Sequence, residues 1–160
     1  MIETDHLILR RWVKSDIAPF QAICSDPEVM RWLGPLHDLA ATAAVVARMQ
    51  KMQARLGYCF WALERRYDAR LIGWCGLIRS TTGPVAGQAE VGWRLARDCR
   101  GSGYASEAAR ASIAVDNRAS RAVMQRCGMP YCPELVFAHP RLAADDPLLA
   151  HVTYRIDRPL

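Results

Sequence analysis

The segment Arg100-Gly101-Ser102-Gly103-Tyr104-Ala105 carries the residues of this chain that are best suited to hold a phosphate group. Glycine lets a backbone turn sharply and approach a ligand closely. An alanine-rich stretch with helical character follows, so the amides of residues 101–106 are predicted to point at one spot beside the positive end of a helix. A tight turn without a ligand is the alternative interpretation.

The spacing of these glycines argues against two common phosphate-binding motifs. The pattern GxxxxGK[ST] is absent from the chain, which disfavours a P-loop kinase or nucleotidase. The pattern GxGxxG is absent as well, because the third residue after Gly103 is Ser106, and this counts against a dinucleotide site of the Rossmann type.

Glu90 is the carboxylate best placed to act as a general base. It lies in AEVGWRL, residues 89–95, which is predicted to be a strand that leads directly into the loop. Alternation along this strand gives two faces, with Val91, Trp93 and Leu95 on one and Glu90, Gly92 and Arg94 on the other. Glu64, on a neighbouring predicted strand, is a weaker candidate. A solvated or salt-bridged carboxylate is the alternative interpretation of Glu90.

Hydrophobic periodicity predicts the elements around the loop. The predicted strands are HLILRRW (6–12), CFWALERR (59–66), RLIGWCGLIR (70–79), ELVFAH (134–139) and HVTYRI (151–156). A long helix is predicted over residues 38–56, ended by Gly57. Gly73 and Gly76 predict a bulge or a close approach of the backbone in the strand that contains them.

Composition and charge are typical of a globular domain with an acidic partner. Hydrophobic residues make up 51% and charged residues 23% of the 160 residues. No apolar run is long enough to span a bilayer and the first residues lack a signal-peptide pattern, so we expect one cytoplasmic domain over residues 1–160. The net charge of +5 comes from dispersed arginines, which suits a polyphosphate cofactor or an acidic peptide better than nucleic acid.

The cysteines and histidines indicate no metal site. None of the six cysteines forms a CxxC pair, and their apolar neighbours predict buried thiols. The four histidines are scattered without a zinc-binding spacing. We therefore expect no metal cofactor.

The segments AEVGWRL, RGSGYASEAA and NRASRAVMQRCGM, in this order, resemble the GNAT superfamily of acetyl-CoA-dependent N-acetyltransferases. They look most like the branch that acetylates the N-termini of ribosomal proteins, as does the opening TDHLILRRW…DIAPFQAICSDPEVMRWLG. The resemblance implies an α/β (α+β) fold, with a mixed, mostly antiparallel, twisted sheet flanked by helices. It also implies acetyl-CoA as co-substrate and an amine as acceptor.

The resemblance also assigns contacts to the cofactor. In the family the loop amides hold the pyrophosphate of CoA, free amides of the preceding strand bind pantetheine, and the NxxS helix faces CoA. The residues implied here are Trp93, Arg94, Leu95, Arg100, Gly101, Ser102, Gly103, Tyr104, Ala105, Ser106, Asn117 and Ser120. A helix N-cap is the alternative role of Asn117, and the two roles are compatible.

One strand of the family is predicted to be missing. In the family a fifth strand separates the helix after the loop from the NxxS helix, which requires on the order of 20 residues. Here only residues 111–116 lie between the two predicted helices, so we predict an internal deletion. ELVFAH and HVTYRI would then pair directly with AEVGWRL in a six-stranded sheet with a narrowed cleft, or be exchanged between the chains of a homodimer.

The predicted reaction is direct attack of a primary amine, a peptide N-terminus or a small molecule, on the acetyl thioester, with Glu90 as base. The alternative is a CoA-binding or interaction protein of the same fold that lost activity with the strand. Met124 stands where many family members have the tyrosine that protonates the thiolate, and methionine has no proton to donate. No nucleic-acid or membrane partner is expected.

Overall fold

The first five strands form one antiparallel sheet in sequential order. They are β1 (Ile2–Glu3), β2 (Leu7–Arg10), β3 (Phe60–Arg65), β4 (Arg70–Arg79) and β5 (Ala89–Leu95). The strand predictions for β2 to β5 are confirmed, and the predicted bounds of β4 and β5 are the observed ones. Among the described strands, β5 is an edge strand of this sheet and has a partner on one side, β4.

The computed structural model describes residues 1–81, 83–87, 89–107, 112–114, 125, 128–140, 142–146 and 149–154. Asn117, Ser120 and Met124 lie outside the described residues. The predictions made for these three positions therefore stay predictions.

Four helices are described: α1 (Ile17–Cys24), α2 (Pro27–Met30), α3 (Leu39–Leu56) and α4 (Tyr104–Glu107). The predicted long helix is confirmed as α3. The Asp38 carboxylate caps its start by accepting a hydrogen bond from the amide of Ala41 at 2.7 Å. Gly57 ends it with a φ of 78°, the left-handed conformation that glycine adopts without strain. No helix in the described ranges is long and apolar enough to cross a membrane.

The main core lies between this sheet and helices α1 and α3. Its fully buried side chains are apolar and come from all three layers, and they include Leu7, Phe20, Met30, Val46, Met49, Leu63 and Ile72. Trp12 belongs to the same core, and its indole donates a hydrogen bond to the carbonyl of Phe60 at 2.7 Å. α1 packs on both α3 and β4 and so fixes the helical layer over the end of the sheet that leads into the loop.

Two glycines of β4 bring neighbouring backbones into contact, as predicted. A Cβ added at Gly73 would lie 1.9 Å from the carbonyl oxygen of Arg94, and one at Gly76 would lie 2.1 Å from that of Cys59. Both glycines have positive φ, 148° and 156°. No other residue fits these positions without moving a backbone, so β4 needs them to hold β3 and β5 at this spacing.

A second antiparallel sheet contains β6 (Ser112–Ala114), β8 (Ala150–Tyr154) and β7 (Tyr131–Ala138), in that spatial order. β6 lies beside β5, yet the two strands are not paired. Trp93 of β5 packs against a small cluster of Met129, Val152 and Tyr154 beside the second sheet. The described strands therefore leave an opening between β5 and β6.

The prediction that the fifth strand is missing is wrong. Residues 112–114 form a strand that pairs with β8 through Ser112↔Thr153, Ile113↔Val152 and Ala114↔His151. A strand of three residues needs fewer connecting residues than the full helix and five-residue strand that the prediction assumed. The predicted direct pairing of β7 and β8 with β5 is wrong for the same reason, because β6 of the same chain occupies the edge of β8.

Candidate active site

The two sides of β5 face different partners. The amide of Ala96 donates to the carbonyl of Ile72 at 2.8 Å, and the carbonyl of Arg94 faces β4 at Gly73. Because ladder hydrogen bonds alternate along an antiparallel strand, the backbone groups of Trp93 and Leu95 face the other way. Of the three predicted pantetheine contacts, Trp93 and Leu95 thus turn their backbone toward the opening, whereas Arg94 does not.

The loop after β5 makes two left-handed turns. The φ angles are 81° at Gly101 and 84° at Gly103, and a Cβ added at either glycine would meet no atom within 4 Å. The amides of Ser106 and Glu107 both donate to the carbonyl of Gly103, at 2.8 and 3.2 Å. The open surface of the loop is therefore lined by backbone of residues 101–105, the part of the predicted range whose amides remain suited to an anion.

Contacts with two other elements anchor the ends of this loop. Nη2 of Arg100 donates to the carbonyl of Glu28 at 3.0 Å, which ties the loop to α2. Asp98, in the turn that precedes the loop, pairs with Arg70 at the start of β4. The Arg100 side chain is thus directed along α2, and the loop is held on both sides.

Glu90 lies at the opposite end of β5 from the loop, half-buried and cross-strand from Ile78. Burial raises the pKa of the Glu90 carboxyl, and a hydrogen bond with the buried Ser80 hydroxyl opposes part of this shift. Among the described residues no cation forms an ion pair with Glu90. A carboxylate with a raised pKa and no permanent cation beside it suits proton transfer near neutral pH.

The weaker candidate, Glu64, is engaged in an ion pair. Arg10 donates from Nε to the Glu64 carboxylate at 2.6 Å and from both Nη atoms to Asp16 at 2.8 Å. Asp16 is 4% exposed and also accepts a hydrogen bond from the amide of Val13. This network secures β2 and β3 to the start of α1, which is a structural role.

The chain matches the family model described as "Acetyltransferase (GNAT) domain" over residues 6–115. It belongs to the GNAT acetyltransferase family. The activity that follows from this membership is acetyl transfer from acetyl-CoA as co-substrate. The antiparallel sheet flanked by helices is the GNAT fold that the resemblance implied.

Known proteins similar to this GNAT chain include one curated relative and several solved structures. A curated relative is "Uncharacterized protein YkkB" of Bacillus subtilis (strain 168), 30% identical over 147 residues, which are 80% of this chain and 84% of that protein. An acetyltransferase from Agrobacterium tumefaciens str. C58 has a TM-score of 0.75 at 23% identity, covering 98% of this chain and 94% of that one. RimL, a ribosomal alpha-N-protein acetyltransferase in complex with coenzyme A, has a TM-score of 0.73 at 17% identity, covering 96% and 95%.

The structure adds one candidate site residue that the sequence did not single out. Ser80, which follows β4, is 5% exposed and hydrogen-bonds Glu90. No sequence signal identifies it, because its segment has the composition of an ordinary loop and the pairing of β4 with β5 alone brings it to Glu90. The described residues contain no group of three or more His, Cys, Asp or Glu side chains that could hold a metal ion.

A cleft of about 990 Å³ lies on the helical side of this GNAT domain, away from Glu90. It is lined by α1, by the start of β4 at Arg70 and Leu71, and by residues 96–98 after β5. The register of β4 with β5 places all of these at the Leu95 end of the strand. Neither the loop residues 100–106 nor Glu90 lines this cleft, so it is separate from the place where proton transfer would occur.

Proposed function

We propose that residues 1–160 act as a single acetyltransferase domain that transfers the acetyl group of acetyl-CoA to a primary amine, a peptide N-terminus or a small-molecule amine. The observation that carries the proposal is the placement of Glu90, a half-buried carboxylate with a raised pKa, on the strand that leads into the glycine loop. One strand thus joins a candidate base to a candidate pyrophosphate site.

The loop fits the pyrophosphate of CoA in shape and in chemistry. Its two glycines leave open space where side chains would otherwise stand, and consecutive backbone amides bind an anion without a positively charged side chain. Residues Gly101 to Ser106 would hold the phosphates, with the Ser106 contribution coming from its side chain because its amide is bound to Gly103. Arg100, Asn117 and Ser120 would contact other parts of the same molecule.

The opening between β5 and β6 fits the pantetheine arm. A chain with amide groups can hydrogen-bond to an unpaired strand edge as a further strand would, and the edge of β5 at Trp93 and Leu95 is unpaired among the described strands. Bound acetyl-CoA supplies the activated acetyl carbonyl and a thiolate leaving group. In this arrangement the arm would run along the strand that carries Glu90.

Glu90 removes the proton that blocks attack by the acceptor. An amine arrives largely as an ammonium ion, so a carboxylate must first take one N–H proton, directly or through water. The freed lone pair then attacks the thioester carbonyl carbon and a C–N bond forms. The nitrogen loses its second proton to solvent, the C–S bond breaks, and the thiolate takes a proton from solvent, which leaves a neutral amide and a free thiol. Burial of Glu90 assists because it brings the pKa of the carboxyl closer to that of its proton donor.

A peptide N-terminus is supported as acceptor by the resemblance to the ribosomal-protein branch and by the similarity to RimL. The short stretch between α4 and β6 is the feature in which this chain departs from the family pattern, and it favours the alternative of a CoA-binding protein without turnover. The two functions differ in one measurement, the release of free CoA thiol from acetyl-CoA with a panel of peptides and small amines. Amine-dependent release is expected, whereas a tight CoA complex by native mass spectrometry without any release would establish the alternative.

A further inference from the structure

Phe137 of β7 packs its ring against the connection between β4 and β5. A Cβ added at Gly83 would lie 2.4, 2.6 and 2.7 Å from three carbon atoms of this ring, so the ring fills the space beside that glycine. Gly83 begins a short helical turn, Gly83–Val85, and β7 lies against this turn. The second sheet therefore contacts the hairpin of β4 and β5 at the turn that joins these two strands.

Contacts within the second sheet hold this ring in place. His151 of β8 is the cross-strand partner of Phe137, and their rings stack with 5.4 Å between the centroids. The register of β7 with β8 shifts just before Phe137, and the hydroxyl of Thr153 donates to the carbonyl of Leu135 at 2.8 Å in the shifted part. The position of the ring is thus set by β8 as well as by the connection that it touches.

The connection joins two residues that hydrogen-bond each other, Ser80 and Glu90. Ser80 directly follows β4 and is 5% exposed, and its hydroxyl hydrogen-bonds the Glu90 carboxyl near the start of β5. The amide of Gly87 donates to the carbonyl of Ser80 at 2.8 Å and closes the loop between them. A displacement of the turn at Gly83 would therefore also displace the Ser80 hydroxyl.

We propose that Phe137 is a positioning residue for the proposed reaction, because through Gly83 it holds the loop that keeps the Ser80 hydroxyl on Glu90. A glutamate side chain has several rotamers, and a hydrogen bond to a fixed hydroxyl favours one of them. A general base must lie within hydrogen-bond reach of the proton that it removes, so this choice of rotamer affects the rate. The inference rests on the proposed function, since it takes Glu90 to be the base.

Other charged or titratable groups lie near this contact. Arg79 directs its guanidinium to a backbone carbonyl of the connection at 2.6 Å, and no ion pair in the described part of the chain joins it to Glu90. Glu134, on β7, is exposed. The ring of His139 lies 5.0 Å from that of His151, and burial lowers the pKa of His151. The histidines can add their own titration to an activity profile, so the test must follow the Glu90 carboxyl itself.

The test is a double-mutant cycle between Phe137 and Ser80 with two readouts. Carbon-13 NMR follows the titration of the Glu90 carboxyl, assigned by its loss in Glu90→Gln, and steady-state kinetics gives kcat and KM. Phe137→Leu stays apolar and removes the ring, so the Glu90 titration should move to higher pH, in the direction expected for Ser80→Ala. The double variant should shift no further than Ser80→Ala alone, because both changes act on one hydrogen bond.

The same change should lower kcat by about tenfold with little effect on KM, a part of the loss expected from removing a positioned base. Tyr131→Leu is the matched control. It removes an exposed aromatic ring from the other end of the same strand, and it should leave both the Glu90 titration and kcat as in the unaltered protein.

Gly83→Ala changes the same contact from the other element and replaces Phe137→Leu if that variant does not fold. Its Cβ would lie 2.4 Å from the Phe137 ring, so the turn or the ring must move and the Glu90 titration should shift in the same direction. An unchanged titration in the folded variants, with or without a fall in kcat, would overturn the proposal, as would shifts that add in the double variant. A shifted titration in a protein that acetylates no amine would support the contact while the proposed function fails.

Discussion

Nε of Arg10 lies 2.6 Å from Oε2 of Glu64, and this ion pair separates the chemistry of Glu64 from that of Glu90 in the first sheet. A carboxylate held by a guanidinium shares its lone pairs with a permanent cation and is a poor proton acceptor. Glu90 hydrogen-bonds a neutral hydroxyl instead, and burial raises its pKa. The same residue type therefore has a structural role on β3 and is available for proton transfer on β5.

Glu90→Gln should lower the rate of acetylation by about 100-fold or more at neutral pH, the range in which positioned acids and bases contribute. CoA affinity should change little, because Glu90 lies at the other end of β5 from the loop. Steady-state kinetics with the best acceptor and calorimetry with CoA measure the two effects. Glu64→Gln is the matched control and should keep the rate; a full wild-type rate in Glu90→Gln would show that Glu90 is only a structural carboxylate.

The pH dependence follows from the raised pKa of Glu90. The ionised carboxylate is the base, so kcat/KM should rise as pH increases through that pKa, and Glu90→Gln should lose this limb of the profile. Ser80→Ala removes the hydrogen bond that lowers the pKa, so the same limb should move to higher pH. If the pH dependence of kcat/KM is the same in the unaltered protein and in both variants, the titrating group is not Glu90.

Thermal stability should show the opposite dependence on pH. A carboxyl whose pKa is raised on folding stabilises the protein below its unfolded pKa, and this contribution is lost as pH rises through the folded pKa. Glu90→Gln carries no charge, so its Tm should exceed that of the unaltered protein near neutral pH. The two melting temperatures should converge in acid, where Glu90 is protonated; calorimetric melting from acid to neutral pH measures both.

Gly103→Asp should weaken CoA binding by at least tenfold. The substitution puts a side chain and a negative charge onto the surface that is open at Gly103, where the pyrophosphate would lie. Isothermal calorimetry on the folded variant measures the loss, with Gly57→Asp as control, since Gly57 has a similar φ of 78° at the end of α3. Unchanged CoA affinity in a folded Gly103→Asp protein would contradict the assignment of the loop.

Gly73→Ala should destabilise the fold by about 3 kcal/mol, because its Cβ would lie 1.9 Å from the carbonyl oxygen of Arg94 and a backbone would have to move. Gly57→Ala, with positive φ but no atom within 4 Å of its Cβ, should cost about 1 kcal/mol from backbone strain alone. Chemical denaturation of both variants measures the difference. Equal losses would show that β4 and β5 can separate at little cost.

The native protein should react slowly with thiol reagents. The described cysteines are all buried, and burial raises the pKa of Cys59 to about 11 and that of Cys75 to about 12. Because the thiolate is the reactive form, a chromogenic disulfide at pH 8 should label at most Cys127, which lies outside the described residues. Unfolded protein should react at all six cysteines; rapid labelling of several thiols in the native state would contradict their burial.

The elements that position the candidate site could be predicted where a local rule decides. The alternation in AEVGWRL defined β5, and Gly57 defined the end of α3, because each signal is contained within a few neighbouring residues. β6 was missed because three residues carry no measurable period, and its pairing with β8 depends on a strand distant in sequence. The burial of Ser80 and of Arg94 was missed because it also depends on contacts between segments that are distant in sequence. Alternation shows on which face of a strand a side chain lies, but the residues that cover that face come from other parts of the sequence.

Trp93 packs against the buried cluster beside the second sheet, and the attachment of that sheet bears on how the molecule opens. Within the described ranges the second sheet has a small buried cluster of its own, so its detachment should cost less free energy than global unfolding and should form a separate unit in hydrogen exchange. A ligand lying between β5 and β6 would stabilise the attached state by mass action. Amides of β7 and β8 that never touch the coenzyme would then exchange more slowly in its presence. The coenzyme would thus stabilise the fold itself, because it would bridge two sheets that are not hydrogen-bonded to each other among the described strands.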